Sequence, residues 1–169
     1  DATTTGATAY LWSSGETTAS VTPLTTTAGT TVYTVTVTGI GGCTATTSAT
    51  IVVNPQPVPP ALTSTNYCVG ASAAVLDATT SGATSYLWTT GATTASVTPS
   101  TAIAGTTTYT VTVTATGGCS ATTSATIVVN PLPVPPALTS TSYCVGASAT
   151  ALDATTTGAT AYLWSSGET

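Results

Sequence analysis

The stretch "TTTYTVTVT" (Thr106–Thr114) decides the fold. It alternates strictly, with Tyr109, Val111 and Val113 on one face and Thr110, Thr112 and Thr114 on the other. A period of two belongs to a strand with one buried face. Its β-branched residues suit a pleated surface. "SATIVVN" (Ser124–Asn130) reads as its partner, joined through a turn at Gly117-Gly118. "SYLWTTG" (Ser85–Gly91) reads as a third strand closed by a glycine turn. "ALTST" (Ala61–Thr65), "AAVLDA" (Ala73–Ala78) and "TASVTP" (Thr94–Pro99) are weaker strand candidates. Six or seven short strands with turn signals between them predict a two-sheet sandwich. Helical periodicity is found nowhere.

The same words return along the chain. Tyr10-Leu11-Trp12 recurs as Tyr86-Leu87-Trp88 and as Tyr162-Leu163-Trp164, each time at a constant shift of 76. Gly42-Cys43 recurs as Gly118-Cys119 at the same shift, with no insertion. Neighbouring copies differ at scattered sites: Ser13-Ser14 becomes Thr89-Thr90, and Glu16 becomes Ala92. Residues 1–17 and 153–169, two copies apart, are identical. A period of 76 exceeds the roughly 20–45 residues of a solenoid rung and suits a small domain. The proline clusters "VVNPQPVPP" (Val52–Pro60) and "VVNPLPVPP" (Val128–Pro136) mark boundaries, because such segments act as semi-rigid extended spacers. The expected division is a partial sandwich at 1–54 without its first strands, a complete one at 55–130, and a partial one at 131–169 without its last strands. The chain then reads as a window on a longer array of two alternating modules.

The order Cys68-x-Gly70, then Tyr86-Leu87-Trp88, then Tyr109-Thr110-Val111-Thr112-Val113-Thr114, then Gly118-Cys119 resembles the tandem immunoglobulin-like or PKD-like modules of long Bacteroidota surface proteins. The resemblance extends over the whole chain. It implies an all-β fold of tandem immunoglobulin-like (PKD-like) β-sandwich modules, carried on extracellular adhesins or cell-surface filaments. It implies no catalytic residues.

Composition narrows the chemistry. The chain has no Lys, Arg, His, Met or Phe, carries five acidic residues and a net charge of −5, and is more than a quarter Thr. Without His or Lys, no base is at hand to activate the many hydroxyls, so no enzyme is expected. Each copy has one recurrent carboxylate (Asp1, Asp77, Asp153). Calcium sites draw on several, so a turn role is the better reading and no metal or cofactor is expected. Phosphate recognition needs cationic side chains, which excludes nucleic acid. No apolar run approaches the ~18 residues of a membrane span, and no membrane insertion is expected. Lys–Asn isopeptide crosslinks are excluded for want of Lys. Rows of Thr hydroxyls could suggest ice binding, but that needs a short repeat in a flat array. A solvent face built of the most β-prone polar residue explains them better. Asn54 and Asn130 precede Pro and Asn66 precedes Tyr67-Cys68, so there is no N-glycosylation sequon. O-linked glycans on Thr or Ser would explain how so uncharged a surface stays soluble.

Trp12, Trp88 and Trp164 are expected to fill sandwich cores rather than to stack on sugars. Tyr33 and Tyr109 are expected as core or corner anchors, with the hydroxyl bonded to nearby backbone. The disulfide candidates are Cys43, Cys68, Cys119 and Cys144, in a sequence of extracellular type with no metal-ligand spacing. Three registers fit. One is Cys68–Cys119 within a module. Another is Cys43–Cys68 with Cys119–Cys144 across the proline linkers. The third joins each cysteine to a neighbouring module or another chain. Opposite poles of a sandwich argue against the first, since a disulfide needs α-carbons within about 7 Å. Cys68–Cys119 is nevertheless the expected register, because every module carries both partners; Cys43 and Cys144 then pair outside residues 1–169.

The functional expectation is a passive extracellular structural protein: a tandem-repeat fibre or stalk that self-associates with identical chains. The alternative is a surface adhesin whose repeats bind glycans or a host surface.

Overall fold

The computed structural model describes residues 1–168; Thr169, the last residue of the expected third module, lies outside the described residues. The fold is all-β. Strands β1 (Ala7–Trp12), β2 (Gly29–Gly39) and β3 (Thr44–Val53) form an antiparallel sheet in that order. Strands β4 (Thr65–Cys68), β5 (Leu76–Asp77), β6 (Ala83–Trp88), β7 (Ser96–Val97), β8 (Gly105–Ala115) and β9 (Ser120–Asn130) follow. They form a four-stranded sheet of order β4-β9-β8-β6 and a two-stranded pair β5-β7. "TTTYTVTVT" lies within β8, and its partner β9 begins four residues before the predicted start.

The weaker strand predictions need correcting. Ala61–Ser64 is irregular, and the strand there is Thr65–Cys68, which runs parallel to the end of β9. "AAVLDA" and "TASVTP" contribute only Leu76–Asp77 and Ser96–Val97. No strand forms after Asn130 among the described residues. Tyr162-Leu163-Trp164 has the sequence of β1, yet residues 131–168 offer it no counterpart of β2 to pair with.

The chain divides into two compact units. One comprises Asp1–Leu62, Leu76–Val97 and Tyr109–Ser124. It buries Trp12, Val35, Leu76, Ala78, Trp88, Tyr109, Val111, Val113 and Ala115. Its strands follow a common plan in both copies. Trp12 pairs with Val35 and Trp88 with Val111, and a bulge occurs at the start of both β1 and β6. The other unit contains Thr63–Val75, Thr98–Thr108 and the residues from Ala125 on. There β4 pairs Thr65 with Ile127 and Cys68 with Asn130, and Ala125, Ile127 and Val129 are buried.

Nearly identical strands differ in burial. Val111, Val113 and Ala115 of β8 are buried, whereas in β2 only Val35 is. Along β3, Thr44–Thr50 is exposed, whereas β9 alternates into the interior from Ala125 on. The middle copy has β4 and Leu76 ahead of its long strands. Residues 1–54 contain no counterpart of either. A strand face becomes a core only where a second layer covers it.

Candidate functional site

The catalogue of conspicuous side chains forms no reactive cluster. Among the described residues, no group of three or more Cys, Asp and Glu converges as a metal site. What the sequence builds instead is a set of local clamps. The Trp88 indole N–H donates to the Thr94 carbonyl at 2.8 Å, and Trp12 does the same to Thr18. Trp88 is 2% exposed and Trp12 8%. Trp164 is half-buried and belongs to no strand. Tyr109 is buried, while Tyr33, its counterpart in β2, is only half-buried.

The tyrosines that pin loops are ones the sequence analysis passed over. The Tyr86 hydroxyl accepts from the Thr80 amide at 3.2 Å, and the Tyr67 hydroxyl accepts from the Ala74 amide at 2.9 Å. Both clamps recur: Tyr10 with Thr4, Tyr162 with Thr156, and Tyr143 with Thr150. The recurrent Tyr six residues after a Thr was the signal available for the Tyr86 clamp. Asp77 closes a turn, accepting from the Thr79 amide at 2.9 Å and its hydroxyl at 2.6 Å. Those bonds, the hydroxyl's first and then the amide's, hold its carboxyl below the usual carboxylate value.

One place joins two copies within a single unit, and it is the candidate site. The linker after β3 lies on the β8–β9 turn. Gly117 has φ +77°, a left-handed conformation that favours glycine. It also has no room for a side chain, because a Cβ there would stand 2.1 Å from Asn54 Nδ2. The matching Gly41 has φ +81° but nothing within 4 Å. The Cys119 thiol donates to the Asn54 carbonyl at 3.7 Å, and Gln56 Nε2 donates to the Ser120 carbonyl at 3.0 Å. Beside these contacts Pro55, Pro57 and Val58 face Thr80, Gly82 and Ala115 across an apolar-walled cleft of about 370 Å³. The two prolines fix their backbone before the contact forms, which limits the entropy lost in making it. The contacts are positional rather than reactive: they hold the segment after β3 against the β8–β9 turn.

The four cysteines are free thiols. Cys43 and Cys119 each follow a short 3-10 turn, at Ile40–Gly42 and Thr116–Gly118, while Cys68 ends β4 and Cys144 lies in an irregular segment. The register Cys68–Cys119 is incompatible with β9. Cys68 stands opposite Asn130, the last residue of that strand, whereas Cys119 immediately precedes its first. At ~3.3 Å per residue, the strand holds them on the order of 30 Å apart, against the ~7 Å a disulfide allows.

No family model matches the chain, and no curated protein matches it. Solved structures do align. The titin domains Z1Z2 in complex with telethonin align at TM-score 0.30 and 19% identity, over 62% of this chain and 62% of that one. Extracellular cadherin domains 1–4 of protocadherin gamma B7 align at 0.34 and 16%, over 67% of this chain and 36% of that one. A Bacteroides ovatus protein of a mixed-linkage glucan utilization locus, SGBP-B, solved with a mixed-linkage heptasaccharide, aligns at 0.23 and 14%, over 83% and 43%. The chain thus spans less than two thirds of each. At these scores the likeness carries nothing further.

Proposed function

We propose that the chain belongs to a non-enzymatic extracellular structural protein. In this reading it is a fibre or stalk of immunoglobulin-like β-sandwich modules that repeat with a period of 76. Modules fall at 1–54, 55–130 and 131–169, and arrays associate side by side. The observation that carries the reading is the seat of the linker: Asn54 over Gly117 and Gln56 on Ser120. A linker bonded to the copy that follows it is built to hold a spacing, whereas a free tether would leave those groups to water.

Side-by-side association is favoured by the surface. Leu11 and Leu87 are 56% and 57% exposed on β1 and β6, which end their sheets. Exposed apolar residues on edge strands invite pairing with another chain. Nearly neutral surfaces do little to oppose it. The differences between copies are mostly exchanges among Ser, Thr and Ala, which suits a spacer better than a reader of ligands. O-linked glycans on the Thr-rich faces would keep such a surface in solution, and an intact mass equal to that of the bare polypeptide rejects them.

The test is electron microscopy of the purified chain beside its Leu11→Lys/Leu87→Lys variant. The expected result is laterally bundled fibres for the first and unbundled folded particles for the second. Isolated flexible strings from both would refute side-by-side assembly. Specific capture on a glycan array would move the reading to a surface adhesin.

A further inference from the structure

We propose that each junction in an array of these modules is closed by a disulfide. It joins the β4 cysteine of one module, Cys68 here, to the cysteine of the β8–β9 turn in the module that follows. Two observations at equivalent points of the repeat lead to it. After the first copy, the thiol of Cys119 reaches the Asn54 carbonyl oxygen at 3.7 Å. After the middle copy, β4 places Cys68 opposite Asn130, and the next amide, Val69 N–H, donates to the Asn130 carbonyl oxygen at 2.9 Å. Asn130 is the counterpart of Asn54 one repeat further along. One carbonyl therefore receives the end of β4 from its own module and the turn cysteine from the module after it. Two groups that both reach the same oxygen are neighbours, and disulfide geometry asks for α-carbons only ~4.4–6.8 Å apart. Here each observation supplies one half of the pair. The partner of Cys68 is the counterpart of Cys119 one repeat later, and the partner of Cys119 is the counterpart of Cys68 one repeat earlier. The four thiols of this chain are consequently not one another's partners.

The bond forms by exchange with a small-molecule disulfide such as oxidised glutathione. The thiolate of one cysteine attacks the glutathione disulfide and releases one reduced glutathione. The thiolate of the other then displaces the second from the mixed disulfide. Two protein thiols lose two protons and two electrons, and one oxidised glutathione becomes two reduced ones. The inference rests on the tandem-array reading but not on side-by-side assembly, whose failure leaves the count of bonds unchanged.

The experiment compares the chain with a doubled chain in which residues 1–152 are encoded twice in succession. Both are equilibrated dilute in a glutathione redox buffer, alkylated, and weighed intact without reduction. The expected result is no disulfide in the chain and two in the doubled chain. The within-module register would give one and three, and the linker-spanning register two and four. Either pair of counts overturns the proposal, as does a doubled chain with none. In the doubled chain, Cys68→Ser in the first copy should lower the count from two to one, while Cys43→Ser in the first copy should leave two. A fall in the count on Cys43→Ser overturns the proposal, because Cys43 finds a partner within the doubled chain only in the linker-spanning register.

Discussion

Replacing Gly117 with Ala separates the two demands made on that residue. Gly41 and Gly117 share the left-handed conformation, at φ +81° and +77°. An L-residue there costs about 1–2 kcal/mol, and that is the whole expected cost of Gly41→Ala, where nothing lies within 4 Å. At Gly117 the new methyl would stand 2.1 Å from Asn54 Nδ2 and 2.6 Å from Asn54 Cγ, so Asn54 must leave its seat. The seat holds the Gln56–Ser120 bond in register, and a net hydrogen bond is worth ~0.5–1.5 kcal/mol. Lost packing under the linker adds a similar amount. Gly117→Ala should therefore cost ~1–3 kcal/mol more than Gly41→Ala. Hydrogen exchange read by mass spectrometry resolves opening of β2 from that of β8 and reports the two costs separately. In an Asn54→Ala background the obstruction is gone, and Gly117→Ala should cost no more than Gly41→Ala. Equal costs in the parent chain, or additive effects of Asn54→Ala and Gly117→Ala, would refute the junction as a contact that matters.

Two further outcomes are expected. Ile127→Ala should destabilise the middle copy by ~2–5 kcal/mol, the range for emptying a core site. Ile51→Ala, at the same place in the repeat but only half-buried, should cost far less in urea unfolding; equal losses would contradict the described difference between β9 and β3. Lowering the pH should weaken the Asp77 turn. Its carboxyl is held below the usual value in the folded state, so its contribution is complete above the unfolded carboxylate value and is lost as pH falls through the folded one. Thermal unfolding of Asp77→Asn should show a shallower acid limb than the parent, and parallel limbs would remove Asp77 from the account.

The sequence declared the long strands because alternation is local: "TTTYTVTVT" carries its own period. The glycine turns were legible for the same reason. Thr65–Cys68 was not, because a four-residue strand containing Asn66 and Cys68 has little pattern of its own. Its pairing is parallel, to residues some 60 positions away, and parallel pairing leaves no turn signature. The junction was half legible. Proline marked where the linker lies, but nothing in "NPQP" says that Asn54 lies over a glycine of the next copy. Of the tyrosine clamps, only the one that joins Tyr86 to Thr80 carries a spacing that repeats in all three copies.

The identical stretches at residues 1–17 and 153–169 show where local encoding stops. Both close the same turns. Gly15 donates to Trp12 at 2.9 Å and Gly167 to Trp164 at 3.0 Å, while Tyr10 and Tyr162 each accept an amide six residues upstream. Only the first stretch is a strand, because β2 follows it and supplies the ladder. Turns are thus written into each copy, and strands are completed by what pairs with them. Burial follows the same rule one level up, since β9 is covered where β3, with the same "SATIVV", is not. The Asn54 carbonyl extends it once more. It takes its partner from the β8–β9 turn of the copy that follows. In the array proposed above, that rule would make stability accrue with each added neighbour.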